Sequence, residues 1–130
     1  MKISLKKYLK SLEEATSEEL HLATKSSLQS KMHNGIKVHI FPHSGARAHT
    51  RRPDMESHHW DDLMYNMTKN LKNKPAGHYL TYSKKHQQGV VGEWMPHKNR
   101  IEVMSVLPKG KSHPNQGTIK HIVEEIIITE

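Results

Sequence analysis

The chain is 130 residues long, the size of one ordinary domain, and sets 20 Lys and Arg against 13 Asp and Glu, a formal charge of +7 with neutral histidines. It has no cysteine, which excludes disulfides, thiolate catalysis and cysteine-based zinc sites, and its longest apolar run, Ile126-Ile127-Ile128, is far too short to span a bilayer. The cationic excess favours phosphate-bearing partners, and twelve histidines, a residue type that titrates near roughly pH 6.5, make that excess climb on mild acidification.

From Ile3 to Ala15 the apolar residues Leu5, Tyr8, Leu9 and Leu12 recur at three- and four-residue steps, which predicts an amphipathic helix. This opening segment is charged throughout, so no signal peptide is expected. Thr16 with Glu19 reads as a capping box opening a second helix from Ser17 to about Met32, with Asn34-Gly35 as its stop. Gly35 to Phe41 alternates Ile36, Val38 and Ile40 with Lys37, His39 and Phe41, the pattern of a strand with one buried face that ends at Pro42.

A stretch rich in Arg, His and small residues, His43 to Pro53, leads into a long helix over Met55 to Lys72, with Trp60, Leu63, Met64, Met67 and Leu71 as its apolar stripe. Asn73, Pro75 and Gly77 break it. Four strands follow, over Tyr79 to Tyr82, Gly89 to Met95, Ile101 to Leu107 and Thr118 to Thr129, rich in β-branched and aromatic residues. The expected fold is α+β, with N-terminal helices packed on one face of a mainly antiparallel sheet of four to five strands. The helical segment 1–34 and the α+β part 35–130 are expected to form one compact domain.

Three basic constellations carry the chemistry. The first is His43-x-x-x-Arg47-x-x-x-Arg51-Arg52: on a short helix, positions 43, 47 and 51 share one face and gather an imidazole with two guanidiniums. Guanidinium forks bind phosphate oxygens bidentately, and histidine moves protons near neutral pH. The second is Tyr82-Ser83-Lys84-Lys85-His86, a connection between two strands, with Tyr82 as a base-stacking candidate. The third is the proline-stiffened loop from Pro108 to Gly117, whose Lys109 and Lys111 can meet a nucleic-acid backbone.

Gly110-Lys111-Ser112 lacks the first glycine of a P-loop and precedes a proline, so no nucleotide cofactor is expected. His58, His59, Asp61 and Asp62 offer only one i, i+4 pair, His58 with Asp62, so they read as the polar side of the helix, with His59 able to turn toward the site, and no metal is expected. Each basic cluster also has a plainer reading, a solvated loop or a turn made soluble by lysines.

The order of strand, His-x-x-x-Arg cluster, helix, Tyr79-Leu-Thr-Tyr-Ser-Lys-Lys-His86, Gly89-Val-Val-Gly-Glu-Trp94, Ile101 to Gly110 and Gly117-Thr-Ile-Lys-His-Ile-Val-Glu124 resembles the RelE-like branch of the barnase, colicin and RelE superfamily, particularly its phage-borne members. The similar part runs from about Ile36 to Glu125. The resemblance implies a metal-independent endoribonuclease, in which the 2′-hydroxyl attacks the adjacent phosphate and leaves a 2′,3′-cyclic phosphate. It assigns catalysis to His43, Arg47, Arg51 and His86. It adds Lys84 and, entering the last strand, Thr118 or Lys120, while the basic clusters themselves offer Arg52, Tyr82, Lys85, Lys109 and Lys111, with Lys120, as RNA contacts. The expected setting is the bacterial cytoplasm or a phage virion, with RNA as partner and no cofactor or membrane.

The first fifteen residues resemble the short capsid-targeting leaders of tailed-phage internal proteins. That supports a second reading: a non-catalytic virion protein that uses the same basic surface on nucleic acid, or its first helix on a capsid partner.

Overall fold

The computed structural model describes residues 16–112 and 122–129. The helix expected over Ile3 to Ala15, together with Thr118 and Lys120, lies outside them.

Helix α1 spans Ser17–Lys25. Its capping box is formed as the sequence predicts, the Glu19 amide donating to Thr16 Oγ1 at 3.0 Å while Glu19 Oε1 accepts from the Thr16 amide at 3.4 Å. It buries none of its own residues and ends well before Met32, because Lys31–His33 is strand β1, paired antiparallel with β2, Ile36–Ile40. Asn34-Gly35, expected to stop a helix, instead joins these two strands, with φ of 52° and 74°. Two consecutive positive φ values make the primed turn whose twist matches a tight hairpin, and Asn-Gly is its preferred sequence. Turn chemistry therefore overrides the thin helical pattern before it, and the expected division at 34/35 falls inside this hairpin.

Pro42 supplies the first turn of α2, Pro42–Arg51, where its missing N–H costs nothing. Helix α3 spans Ser57–Leu71 and buries the expected stripe, Trp60, Leu63, Met64, Met67 and Leu71. Strands β3 (Gly77–Ser83), β4 (Gln88–Met95), β5 (Arg100–Val106) and β6 (Ile122–Ile128) complete a six-stranded sheet of order β1-β2-β5-β4-β3-β6.

The α+β class is as expected, but the sheet is mixed rather than mainly antiparallel, and it has six strands rather than four or five. β2 lies parallel to β5 and β3 parallel to β6, while the β1–β2, β3–β4 and β4–β5 pairs are antiparallel. The connection from β2 runs through α2, α3, β3 and β4 before β5 returns beside β2 as the first parallel pair. Two strands far apart in sequence thus become neighbours, which local turn signals do not reveal.

The main core lies between α3 and one sheet face, where Trp60, Leu63 and Met67 meet Ile36, Val38, Val90, Ile101 and Val103. A smaller apolar cluster, Leu80, Val91 and Leu107, lies on the other face. Tyr79 and Trp94 belong to the main core and donate to the carbonyls of Pro75 and Lys74.

β2 pairs with β5 only as far as Ile40 opposite Val103. Beyond that point α2 takes over the strand's role: Ser44 Oγ donates to the Val103 carbonyl at 3.0 Å and the Arg51 guanidinium donates to the Val106 carbonyl at 2.7 Å. Side chains thereby satisfy carbonyls that would otherwise lose their ladder partner. This fixes the end of α2, and with it Arg52, against the β3–β4 hairpin.

Candidate functional site

The basic residues singled out by sequence divide between two places. On the outer surface of α2, His43 and Arg47 share a face as their spacing predicts. The Arg47 Nε donates to His43 Nε2 at 2.9 Å, and His43 Nδ1 lies 2.6 Å from Glu19 Oε2 on α1. Arginine has only donors, so His43 Nε2 must be an acceptor and the ring proton sits on Nδ1, facing the carboxylate. The hydrogen bond from His43, and then that from the Thr16 amide, hold the Glu19 carboxyl below the usual range. Both ring nitrogens of His43 are thus engaged. Arg51 is turned inward onto Val106, and burial, followed by the repulsion of Arg47, lowers its guanidinium value.

The second place is an open cleft of about 250 Å³ lined by Arg52, Asp54, Met55, His59, Lys85, His86, Gln87 and Lys109. It draws on the end of α2, the start of α3, the β3–β4 turn and the segment after β5. Here the spacing of the second and third constellations becomes geometry: His86 and Lys85 from one loop meet Lys109 from another.

Arg52 forms the floor. It is only 4% exposed, and its guanidinium donates to both carboxylate oxygens of Asp54, to the carbonyls of His86 and Gln87, and to Gln88 Oε1. Gln88 in turn donates to the carbonyls of Gly89 and Leu107. The hydrogen bond from Arg52 holds the Asp54 carboxyl down at about 2, with Lys109 adding a smaller attraction. Arg52, expected to contact nucleic acid, therefore has its donors committed to holding the β3–β4 turn in place.

His86 Nε2 lies 2.6 Å from Asp62 Oδ2 on α3, and Lys85 Nζ is 3.8 Å from the same oxygen. Facing a carboxylate, Nε2 carries the hydrogen of that contact. The side chain is 8% exposed, so the ring meets the cleft by one edge only. His59, whose Nδ1 accepts from the Glu56 amide at 2.9 Å, keeps its proton on Nε2, and its ring centre is 5.6 Å from that of His86. Both imidazoles line the same cleft.

Lys84 and Lys111 are exposed beside this region, and Tyr82 is half-buried on β3. The sequence reading left Asp62 on the polar side of α3. The available signal was that Asp62 stands three residues after His59 and so shares its helix face. Asp54 and Gln87 carried no sequence signal. Among the described residues no three His, Asp or Glu side chains stand ready to hold a metal ion, and no helix is long and apolar enough to cross a membrane.

Comparison with known proteins adds nothing to these residues: no family model, no curated protein and no solved structure matches the chain.

Proposed function

We propose that the protein binds RNA through its phosphate backbone and cleaves it without metal at the cleft around His86. The observation that carries this reading is the grouping of His86, with Asp62 behind it, next to His59, Lys85 and Lys109 in one open polar cleft.

The chemistry needs a proton acceptor for the 2′-hydroxyl, a group to stabilise the charge that builds on phosphorus, and no metal. His86 accepts the 2′-hydroxyl proton on Nδ1 as Asp62 holds Nε2–H and stabilises the imidazolium that forms. The O2′–phosphorus bond forms, the phosphorus–O5′ bond breaks, and the leaving oxygen takes a proton from solvent or from the newly formed imidazolium. His59 Nε2–H and the ammonium groups of Lys85 and Lys109 face the developing negative charge. The products are a 2′,3′-cyclic phosphate and a 5′-hydroxyl end.

The test is end-labelled single-stranded RNA incubated with the protein in excess chelator across pH 5 to 8. Cleavage leaving a cyclic phosphate is expected. His86→Ala should lower the rate about 10²-fold or more, the usual scale for one proton-transfer group, with RNA affinity nearly unchanged. His97→Ala, on the turn after β4, should behave as the parent. Intact RNA throughout overturns the enzymatic reading and favours the non-catalytic virion protein. If His43→Ala rather than His86→Ala abolishes cleavage, the Glu19–His43–Arg47 group on α2 is the catalytic one.

A further inference from the structure

On the sheet face turned away from α3, the end nearest the β3–β4 turn carries a row of side chains that the cleft chemistry does not use. Tyr79 enters the main core, so alternation along β3 sends Leu80 and Tyr82 to the opposite face, where Leu80 packs with Val91 and Leu107. Tyr82 stands opposite Gly89 of β4 on one side and Ile127 of β6 on the other. Ile126 and Ile128 are buried while Ile127 is 45% exposed, which places Ile127 on the same face as Tyr82. Tyr82 itself is half-buried.

Gly89 shapes this row. A Cβ there would come within 3.5 Å of Tyr82 Cδ1 and within 3.0 Å of both Leu107 Cδ1 and the Lys111 carbonyl oxygen. The tyrosine ring and the Lys111 backbone therefore close over bare main chain from two sides. The Gly110 amide donates to the Gln87 carbonyl at 2.8 Å and the Leu107 amide to the Gly89 carbonyl at 3.0 Å, which fixes the segment after β5 against the β3–β4 turn.

The lysines of these two connections divide between the cleft and this row. The Lys84 amide donates to the Ile128 carbonyl at 2.9 Å, carrying the ladder one residue beyond β3, so Lys84, two after Tyr82, shares its face. Lys85, the next residue, turns to Asp62 of α3 and lines the cleft. Lys109 also lines the cleft, whereas Lys111, two positions on, has its backbone beside the Tyr82 ring. Lys84 and Lys111 are both exposed.

We propose that Tyr82 is a base-stacking platform for single-stranded nucleic acid, with Ile127 as its apolar flank and Lys84 and Lys111 meeting the phosphates beside the stacked nucleotide. The platform rests on the reading that the cleft holds an RNA backbone, and it narrows that reading to unpaired strands. A strand with one phosphate at Lys85 and Lys109 crosses the β3–β4 turn and lays a neighbouring base on the ring. Every base has a π-face, so the platform tolerates any sequence, whereas a duplex keeps its bases stacked inside and offers it none. Glu125, two residues before Ile127 and opposite Leu80, repels phosphate from the middle of the sheet and keeps the strand at the turn end.

The test measures binding of a labelled 2′-O-methyl oligonucleotide, which has no free 2′-hydroxyl and so is not cleaved. The same backbone carrying abasic units, and a duplex of the same strand, are measured beside it. The parent is expected to bind the base-bearing single strand more tightly than either. Tyr82→Leu keeps apolar bulk on the face and removes the ring, so it should weaken the base-bearing strand roughly tenfold, the scale of one stacked base, and leave the abasic strand and the salt slope unchanged. Tyr82→Phe should match the parent. Lys84→Ala and Lys111→Ala should weaken both single strands alike and make the salt slope shallower.

If Tyr82→Leu binds as the parent does, or loses equally on the base-bearing and abasic strands, the platform is overturned and the cleft reading stands. A parent that binds neither single strand overturns both. Stacking at Tyr82 while natural RNA stays intact supports the platform and removes only the cleavage.

Discussion

Arg52 shows how a residue read as a ligand contact can be a strut. Its position in a basic run suggested phosphate, but the surrounding carbonyls and the amide of Gln88 take its donors, because a guanidinium sealed into a fold must satisfy its N–H groups locally. Replacing it with Met should cost about 3 kcal/mol in urea unfolding, since Gln88 Oε1 and two turn carbonyls lose their donor. Asp54→Asn should cost under about 1 kcal/mol, because that carboxylate is more than half exposed. The sign with pH follows from the lowered carboxyl: the Arg52–Asp54 contribution is fully present above 3.8, the ordinary value, and is lost as pH falls through that range toward about 2. The parent and Asp54→Asn should therefore converge in stability at pH 2, and a constant difference between pH 7 and pH 2 would count against the pairing.

The same scale shows what spacing reveals. His43 and Arg47, four apart on one helix, meet as read, whereas Asp62 and His86 are twenty-four residues apart and meet only because α3 and the β3–β4 turn are packed together. An i, i+4 relation is written in the sequence. A contact between elements is set by tertiary packing.

At the scale of elements, legibility follows how local the determinants are. Helix α3 was readable because five apolar residues fall on one stripe, and β3 to β5 because turn residues bound β-rich runs. β1 was missed because it is three residues long and its register is set by the turn alone, which makes Asn34-Gly35 its main determinant. This is testable without ambiguity, since a Cβ on Gly35 would meet nothing within 4 Å while its φ is +74°. Gly35→Ala should therefore destabilise by about 1 kcal/mol through backbone strain alone, and Gly35→Asn by less, since Asn tolerates this conformation. Thermal unfolding of the two variants checks the order. Equal loss in both would mean that the turn does not set the β1–β2 register.

At the scale of the whole molecule, charge and topology act together. The +7 charge was legible from composition, but its placement depends on the antiparallel order β3–β4–β5 within the sheet. That topology brings the β3–β4 turn beside the segment leaving β5, so that Lys85 and Lys109 line one cleft with Lys84 and Lys111 exposed nearby. If these four ammonium groups each neutralise one phosphate of a single strand, counterion release sets the salt dependence. The log of the RNA association constant should then fall against log salt with a slope near −3, at about 0.7 per phosphate. Removing one lysine should make the slope shallower by about 0.7 and weaken binding to all sequences alike, because backbone contacts carry no base information. Arg52→Met, by contrast, should change stability and leave the slope of the folded protein close to the parent, its donors being spent inside the fold. Fluorescence anisotropy with a labelled oligonucleotide between about 50 and 200 mM salt measures all three. A slope near zero in the parent would remove RNA as the partner of this surface. A steep slope left unchanged by Lys85→Ala and Lys109→Ala would move the backbone contact away from the cleft, to Arg47 on α2 or to Lys37 on β2.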